Sequence, residues 1–279
     1  MNLTNVNFDE IWQDTMGWYD CNKNNRKFND EIERSFWIKL APYYIKNYNL
    51  NNDTDKIANK LYQLVGKGKS ILEIGCGTGN FTMLMSKYSK YILGIDFSAA
   101  MLAELDKRIQ EAKCNNVELF NSKWEDLNLD TAFDYIVSVN SLYRIRDIKN
   151  ALEKMDTYAE KGVIIIRTIQ RPFLYDLYKK CGIETEECMD YQIMPLLLWQ
   201  HGIKANVEFI HYNRNKFYQS LDEAVKDMQG ELSKPIFDKY KEVLISTFLK
   251  NAILNANGYE IKMPRTTVFI YWNKVHGKN

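Results

Sequence analysis

The stretch Ile71 to Thr82, ILEIGCGTGNFT, places glycines at 75, 77 and 79, where an apolar run gives way to a helical pattern. Alternating glycines at such a junction mark a loop whose backbone must come close to a ligand. Ser70 to Ile74 reads as a buried strand, Asn80 to Tyr88 as a helix, and Tyr91 to Ile95 as a second strand ending at Asp96. A carboxylate about 20 positions past the first glycine accepts hydrogen bonds from both hydroxyls of a ribose, so the ligand is a nucleoside. Dinucleotide loops use G-x-G-x-x-G, whereas this chain has G-x-G-x-G preceded by Glu73, an acidic group that suits a cationic ligand and repels a pyrophosphate.

The elements that must position this loop follow from a β-α alternation after residue 68. Further strands are expected at Val117 to Asn121, Tyr135 to Val139, Val163 to Thr168, Asn206 to His211 and Thr266 to Trp272. Helices are expected at Ala99 to Glu111 behind Ser98 as N-cap, at Ile148 to Tyr158 behind Asp147, and at Leu221 to Met228 behind a Ser220/Glu223 capping box. Another is expected from Ile236 to Ala256, ended by Gly258.

Composition narrows the class. The 279 residues, 46% of them hydrophobic, suffice for one large α/β core with insertions. A net charge of +1 gives no general attraction to nucleic acid or anionic membrane. No signal peptide or membrane-length apolar run is read, and the five scattered cysteines, Cys21, Cys76, Cys114, Cys181 and Cys188, point to reduced thiols in a cytoplasm. His201, His211 and His276 lack metal-ligand spacing with any cysteine pair, so no metal is expected.

At LEIGCGTG and GIDFSAAML the sequence resembles the class I S-adenosylmethionine-dependent methyltransferases. The resemblance continues through VELFNSKWEDL and FDYIVSVNSLY to TTVFIYWNK, covering roughly residues 60 to 170 and 205 to 275. It implies S-adenosylmethionine as cofactor and a doubly wound, Rossmann-like α/β sheet of seven strands, order 3-2-1-4-5-7-6 with the last strand antiparallel. It also implies helical cap and lid insertions. Residues 1–66 are expected to form an N-terminal helical cap and 67–279 the cofactor-binding domain, with a lid insertion at about 171–205. Both added segments are aromatic-rich, and a methyl-transfer site must exclude water.

The resemblance also assigns contacts. Gly75, Cys76, Gly77 and Gly79 bring backbone to the methionine and ribose portions, Asp96 holds the ribose, and Phe97 and Met101 flank adenine. Glu73 either orders the loop or meets the ammonium group. Where many relatives carry an acidic residue for the adenine amino group, this chain has Lys123. Either Glu125 or Asp126 substitutes, or backbone and Trp124 stacking serve. Asn140 is expected to face the sulfonium through its side chain or its carbonyl.

Displacement at an activated methyl needs alignment and dehydration more than side-chain chemistry, and a base only if the nucleophile enters protonated. Tyr143 is the candidate by position, ahead of His201 and His211. Arg144, Arg146, Arg167 and Arg171 follow the fourth and fifth strands, at the edge where open α/β sheets bind ligands. Either surface acids pair with them, or some of them recognise an acidic group of the substrate, with Trp37 and Tyr191 as further substrate contacts. The expected partner is a small-molecule substrate, with neither nucleic acid nor membrane. The alternatives are methylation of RNA or protein, and a non-catalytic domain that binds the cofactor. Asn140-Ser141-Leu142-Tyr143 departs from the Asn/Asp-Pro-Pro-Tyr/Phe tetrapeptide of base methylation, and no Pro-Cys nucleophile motif occurs.

Overall fold

The computed structural model describes residues 6–15, 29–44, 52–169 and 190–274. Within these lie α1 (Phe8–Thr15), α2 (Asp30–Tyr44), α3 (Asn52–Val65), β1 (Ser70–Ile74), α4 (Thr82–Met85), β2 (Tyr91–Asp96), α5 (Ala99–Glu111), β3 (Val117–Asn121) and β4 (Phe133–Val139). They continue with a 3-10 turn at Leu142–Arg144, α6 (Ile148–Tyr158), β5 (Ala159–Ile169), α7 (Asp190–Gln200), β6 (Asn206–Tyr218), α8 (Leu221–Glu231), α9 (Lys234–Asn251), β7 (Ile253–Asn255) and β8 (Gly258–Asn273). Among the described residues no helix is long and apolar enough to cross a membrane.

The strands run in the order β3-β2-β1-β4-β5-β8-β6, with β7 paired only to β8. Numbering the path without the short β7 gives the expected 3-2-1-4-5-7-6. β1 pairs in parallel with β2 and β4, and its last four residues are buried, as an unbroken apolar run covered on both faces requires. β8 runs against β5: Lys274 N donates to Lys161 O at 2.8 Å, while Thr168 and Thr267 meet at 3.4 Å. On α5 the buried residues are Met101, Leu102, Leu105 and Ile109, and on α6 Ile148, Ala151, Leu152 and Met155, each set one apolar stripe against the sheet.

Capping follows the sequence unevenly. Asp147 and Ser220 accept from Asn150 N and Glu223 N. Ser98 stands at the N-cap of α5, but its hydroxyl makes no cap bond, and its N–H donates to Asp96 instead. The helix expected over Asn80 to Tyr88 is regular only at Thr82–Met85, where the ladder tightens to a Tyr88 N to Met85 O bond. The helix expected to reach Ala256 ends at Asn251, and Ile253–Asn255 folds back on Gly258–Glu260 as a hairpin. Both β6 and β8 run well beyond the expected bounds.

The chain divides into two compact units, one of residues 1–168, 188–210 and 267–279, the other of 169–187 and 211–266. The described part of the N-terminal segment, α1 to α3, falls in the first unit together with β1 to β4. The first unit's core centres on Leu72, Ile136, Val163, Leu197 and Ile270. The second has its own core of Tyr218, Ala224, Met228, Phe237, Leu244, Phe248 and Ile261. The lid segment expected at about 171–205 is described from residue 190 onward, as α7, and Phe173, Tyr175, Tyr178 and Arg171 lie outside the described residues.

Gly79 shows how tightly the first loop is packed. Its φ is +82°, and a Cβ there would lie 2.1 Å from Leu105 Cδ1, on a side chain buried completely in α5. Gly79→Ala is expected to cost about 2 to 4 kcal/mol, from overpacking and left-handed strain together. Urea unfolding of the ligand-free protein measures this, and a cost under about 1 kcal/mol would show that Leu105 can yield.

Candidate active site

The loops at the carboxyl ends of β1, β2, β3 and β4, with one face of α2, enclose a cavity of about 400 Å³ within the first unit. Its floor is the glycine loop. Gly75 has φ +71° and would clash with Ser141 if it carried a Cβ, so only glycine lets the β1 and β4 loops touch. Ser141 in turn donates from its hydroxyl to Ile74 O at 2.6 Å. Gly77 N donates to Asp96 Oδ2 at 2.9 Å, and Ser98 N to Oδ1 at 2.8 Å. Two backbone donors thus orient a carboxylate that lines the cavity, and each oxygen keeps a lone pair for another donor.

Glu73 is buried beneath this floor and accepts from the Thr82 hydroxyl at 2.5 Å. Burial pushes its carboxyl up to about 8, the Thr82 hydrogen bond opposes this, and the Asp96 charge adds to it. Asp96 is likewise raised by burial, against the pull of the Ser98 and Gly77 N–H groups and of Arg34. Burial holds the Cys76 thiol protonated, well above its usual range.

The cavity brings together most of the residues singled out from sequence: Glu73, Gly75, Cys76, Gly77, Asp96, Phe97, Met101, Trp124, Glu125 and Asn140, with Trp37, Tyr143, Arg144 and Arg146. Gly79 is absent from the lining, because its missing side chain makes room for Leu105. Trp124 lines the wall but is 3% exposed, donates to Ala151 O and carries Lys154 Nζ 4.5 Å from its ring centre. Those contacts engage the ring on the side of α6 and disfavour a role in adenine stacking. The Asn140 side chain accepts from Thr168 N at 2.8 Å and from Arg167 Nη1 at 3.1 Å, with φ +54°, which leaves its backbone as the part able to meet a ligand.

Arg167 and Tyr191, expected among the substrate contacts, do not line this cavity; both border a smaller hollow that shares Asn140, Ser141 and Tyr143 with it. Arg167, 8% exposed, donates to Asp190 Oδ2 at 2.5 Å and to Asn140, and its guanidinium lies 4.9 Å from the Tyr143 ring centre. These contacts engage the guanidinium, which is outside the cavity lining, with Asp190, Asn140 and Tyr143. His201 pairs with Asp9 at 2.9 Å, joining α7 to α1, and His211 contacts Thr266 in the second unit. Neither histidine borders the cavity. Among the described residues no cluster of His, Cys, Asp and Glu is placed to hold a metal ion.

Within the expected N-terminal cap, sequence reasoning singled out Trp37 but not Asp30, Glu33 or Arg34 of α2. Asp30 pairs with Lys123 after β3, Arg34 Nη1 donates to Phe97 O after β2 at 2.5 Å, and Glu33 lies 3.1 Å from Arg144 Nε after β4. Glu33 also accepts from Trp37 Nε1 at 2.7 Å. The four-residue spacing of Glu33 and Trp37, which puts both on one helix face, was the available signal.

Two measurements check this arrangement. Glu73 has a folded pKa above its usual 4.5, so between about pH 4.5 and 8 the folded state keeps a proton that the unfolded state has lost. Stability of the ligand-free protein should therefore fall across that window, and Glu73→Gln should flatten the fall, gaining on the order of 3 kcal/mol at pH 8. Urea melts at pH 5 and pH 8 decide it, and equal slopes for the two proteins would refute the assignment. Arg167→Met should cost about 3 to 5 kcal/mol by removing the guanidinium that donates to the Asp190 carboxylate, and Asp190→Leu added to it should recover much of that loss. A double variant no more stable than the single one would contradict the pairing.

Comparison with known proteins accords with this geometry. A family model described as a methyltransferase domain matches residues 66–225. A probable S-adenosylmethionine-dependent methyltransferase of Saccharomyces cerevisiae, CRG1, is 24% identical over 218 residues, 74% of this chain and 72% of its own. The demethylmenaquinone methyltransferase of Listeria welshimeri is 29% identical over 142 residues, 48% of this chain and 60% of its own. The crystal structure of YcgJ from Bacillus subtilis superposes with a TM-score of 0.51 at 17% identity, covering 80% of this chain and all of that one, and is similar in fold. The family model takes in the glycine loop, Asp96 and the β4 loop, the residues that build the cavity floor, and the chain belongs to the methyltransferase-domain family as an S-adenosylmethionine-dependent enzyme.

Proposed function

We propose that this protein transfers a methyl group from S-adenosylmethionine to a small-molecule acceptor that carries an acidic group. The observation that carries the reading is the cavity itself. At about 400 Å³ it falls in the range of small-molecule sites, and α2 roofs it through contacts to three separate loops. A roof of that kind favours a compact acceptor over a macromolecule. Arg144, at the cavity wall, supports the acidic group: Glu33 lies beside its Nε, yet none of its buried nitrogens has a hydrogen-bond acceptor, and a buried guanidinium is costly while its donors go unmet.

The residues present fit the cofactor. The Asp96 oxygens, already oriented by Gly77 N and Ser98 N, suit a ribose diol, and Gly77, at φ +56°, holds a left-handed conformation that leaves the loop surface bare. When bound, the cofactor supplies a methyl group activated by its sulfonium. The chain's part is then to align the acceptor, with the backbone of the left-handed Asn140 at the floor, and to keep water out with α2. An acceptor that enters protonated can pass its proton to Tyr143 only when that side chain is a phenolate, which becomes the phenol as the proton arrives; its ring is held beside Arg144 and Arg167.

Purified protein given methyl-labelled S-adenosylmethionine should label a low-molecular-mass product from a metabolite extract. Label found only in added RNA or protein would favour the macromolecular alternative, and no transfer despite binding would favour a non-catalytic role. Asp96→Ala should weaken S-adenosylhomocysteine binding by about 10- to 100-fold, the loss expected for hydrogen bonds to a charged group. Unchanged affinity in calorimetry would remove Asp96 from the cofactor site.

A further inference from the structure

Arg144 sits in the 3-10 turn after β4, with its side chain 15% exposed. Its Nε lies 3.1 Å from Glu33 Oε1, an ion-pair distance, yet Nε, Nη1 and Nη2 are all buried and none makes a hydrogen bond. The carboxylate flanks the guanidinium at one nitrogen and its N–H bonds do not point at it. Glu33 is itself fixed by the Trp37 indole. Tyr143 lies to one side of the same guanidinium, 5.5 Å from ring centre to Cζ. The environment therefore holds the charge in place while leaving the Nη1/Nη2 edge, a planar two-pronged donor, without an acceptor.

We propose that this edge of Arg144 is a carboxylate-binding subsite, with Glu33 and Trp37 as the residues that position it. The proposal rests on the methyl-transfer reading and names the acidic group that reading requires. A carboxylate fits better than a phosphate on two grounds. Its two coplanar oxygens match the two nitrogens of one guanidinium. The cavity wall also carries the acids Asp30, Glu33, Asp96 and Glu125 against the cations Lys123, Arg144 and Arg146, so it offers no surplus of positive charge for a dianion. Two molecules in this site can present that group: the acceptor, and the methionine portion of the cofactor.

The test uses the full chain, its Arg144→Met and Arg144→Lys variants, and two calorimetric probes. S-adenosylhomocysteine carries a carboxylate; 5′-methylthioadenosine has the same nucleoside and thioether without it, and its binding also reports that each variant is folded. A tenfold or greater loss of S-adenosylhomocysteine affinity in Arg144→Met, with methylthioadenosine unaffected, places the cofactor's carboxylate on the subsite. Unchanged affinity for both probes, with label transfer from S-adenosylmethionine to the small-molecule product reduced tenfold or more and a carboxylic acid as the product's unmethylated parent, places the acceptor's there. In either case Arg144→Lys should restore less than a third of the loss, because it keeps the charge and removes the fork. The proposal is overturned if Arg144→Met changes neither binding nor transfer, if lysine restores full function, or if the parent lacks a carboxyl group while S-adenosylhomocysteine affinity is unchanged. Should the wild type bind neither probe, the methyl-transfer reading falls and the subsite with it. Should it bind both and label nothing, only the first arm decides.

Discussion

The hydrogen bond from Gly77 N–H to Asp96 is the constraint around which the site is arranged. It ties the loop after β1 to the end of β2, two strands already in register with Ile74 opposite Ile95. Gly75 N and Cys76 N both donate to Ile95 O, and from β3 the Asn121 side chain donates to Asp96 O at 2.7 Å. Three strand ends converge on one acidic residue. Burying that carboxylate is unfavourable, as its raised pKa reflects, and the two N–H donors reduce the cost while fixing where its free lone pairs point. The bare loop surface, the paired strand ends and the oriented acid are thus one structural solution, and the glycine spacing is its visible trace.

What local sequence could reveal follows from that. β1, β3, α5 and α6 have the bounds expected from sequence because each is decided by its own apolar period and cap, as with Asp147 ahead of Ile148. The hairpin at Ile253–Asn255 was hidden because its helical-looking run depends on a partner: Gly258 lies so close to the Tyr218 carbonyl that a Cβ there would fall 2.2 Å from it. The division into two units was hidden for a related reason, since it cuts through β6 and β8 and no composition change marks it.

The site was legible to the extent that it is built from backbone. The loop, Asp96 and the β4 end gather as their spacing suggests, because strand order alone brings them together. Side-chain roles were less readable. Arg144 and Arg167 both follow strand ends and look equivalent in sequence. One meets Asp190 and Asn140, and the other keeps a buried edge with no hydrogen-bond acceptor. The difference comes from residues 23 positions downstream in one case and from α2 in the other. No local pattern encodes such pairings.

The way α2 is held has a consequence for how the site works. Only Glu33 and Ala41 of this helix are recorded as buried, and its first turns are fixed by Asp30 to Lys123, Glu33 to Arg144 and Arg34 to Phe97 O. The Asp30–Lys123 pair and the Arg34 hydrogen bond are partly exposed and contribute only about 0 to 1 kcal/mol each, far less than burial of an apolar face, while the Glu33–Arg144 pair is mostly buried. A roof that must shut out water and still admit its ligands is better served by contacts of that size, which water can replace during opening. Each contact ends on a loop that also borders the cavity, beside Phe97, Lys123 or Arg144. The loops that line the cavity are thus the loops that hold α2, so floor and roof are tied through shared residues.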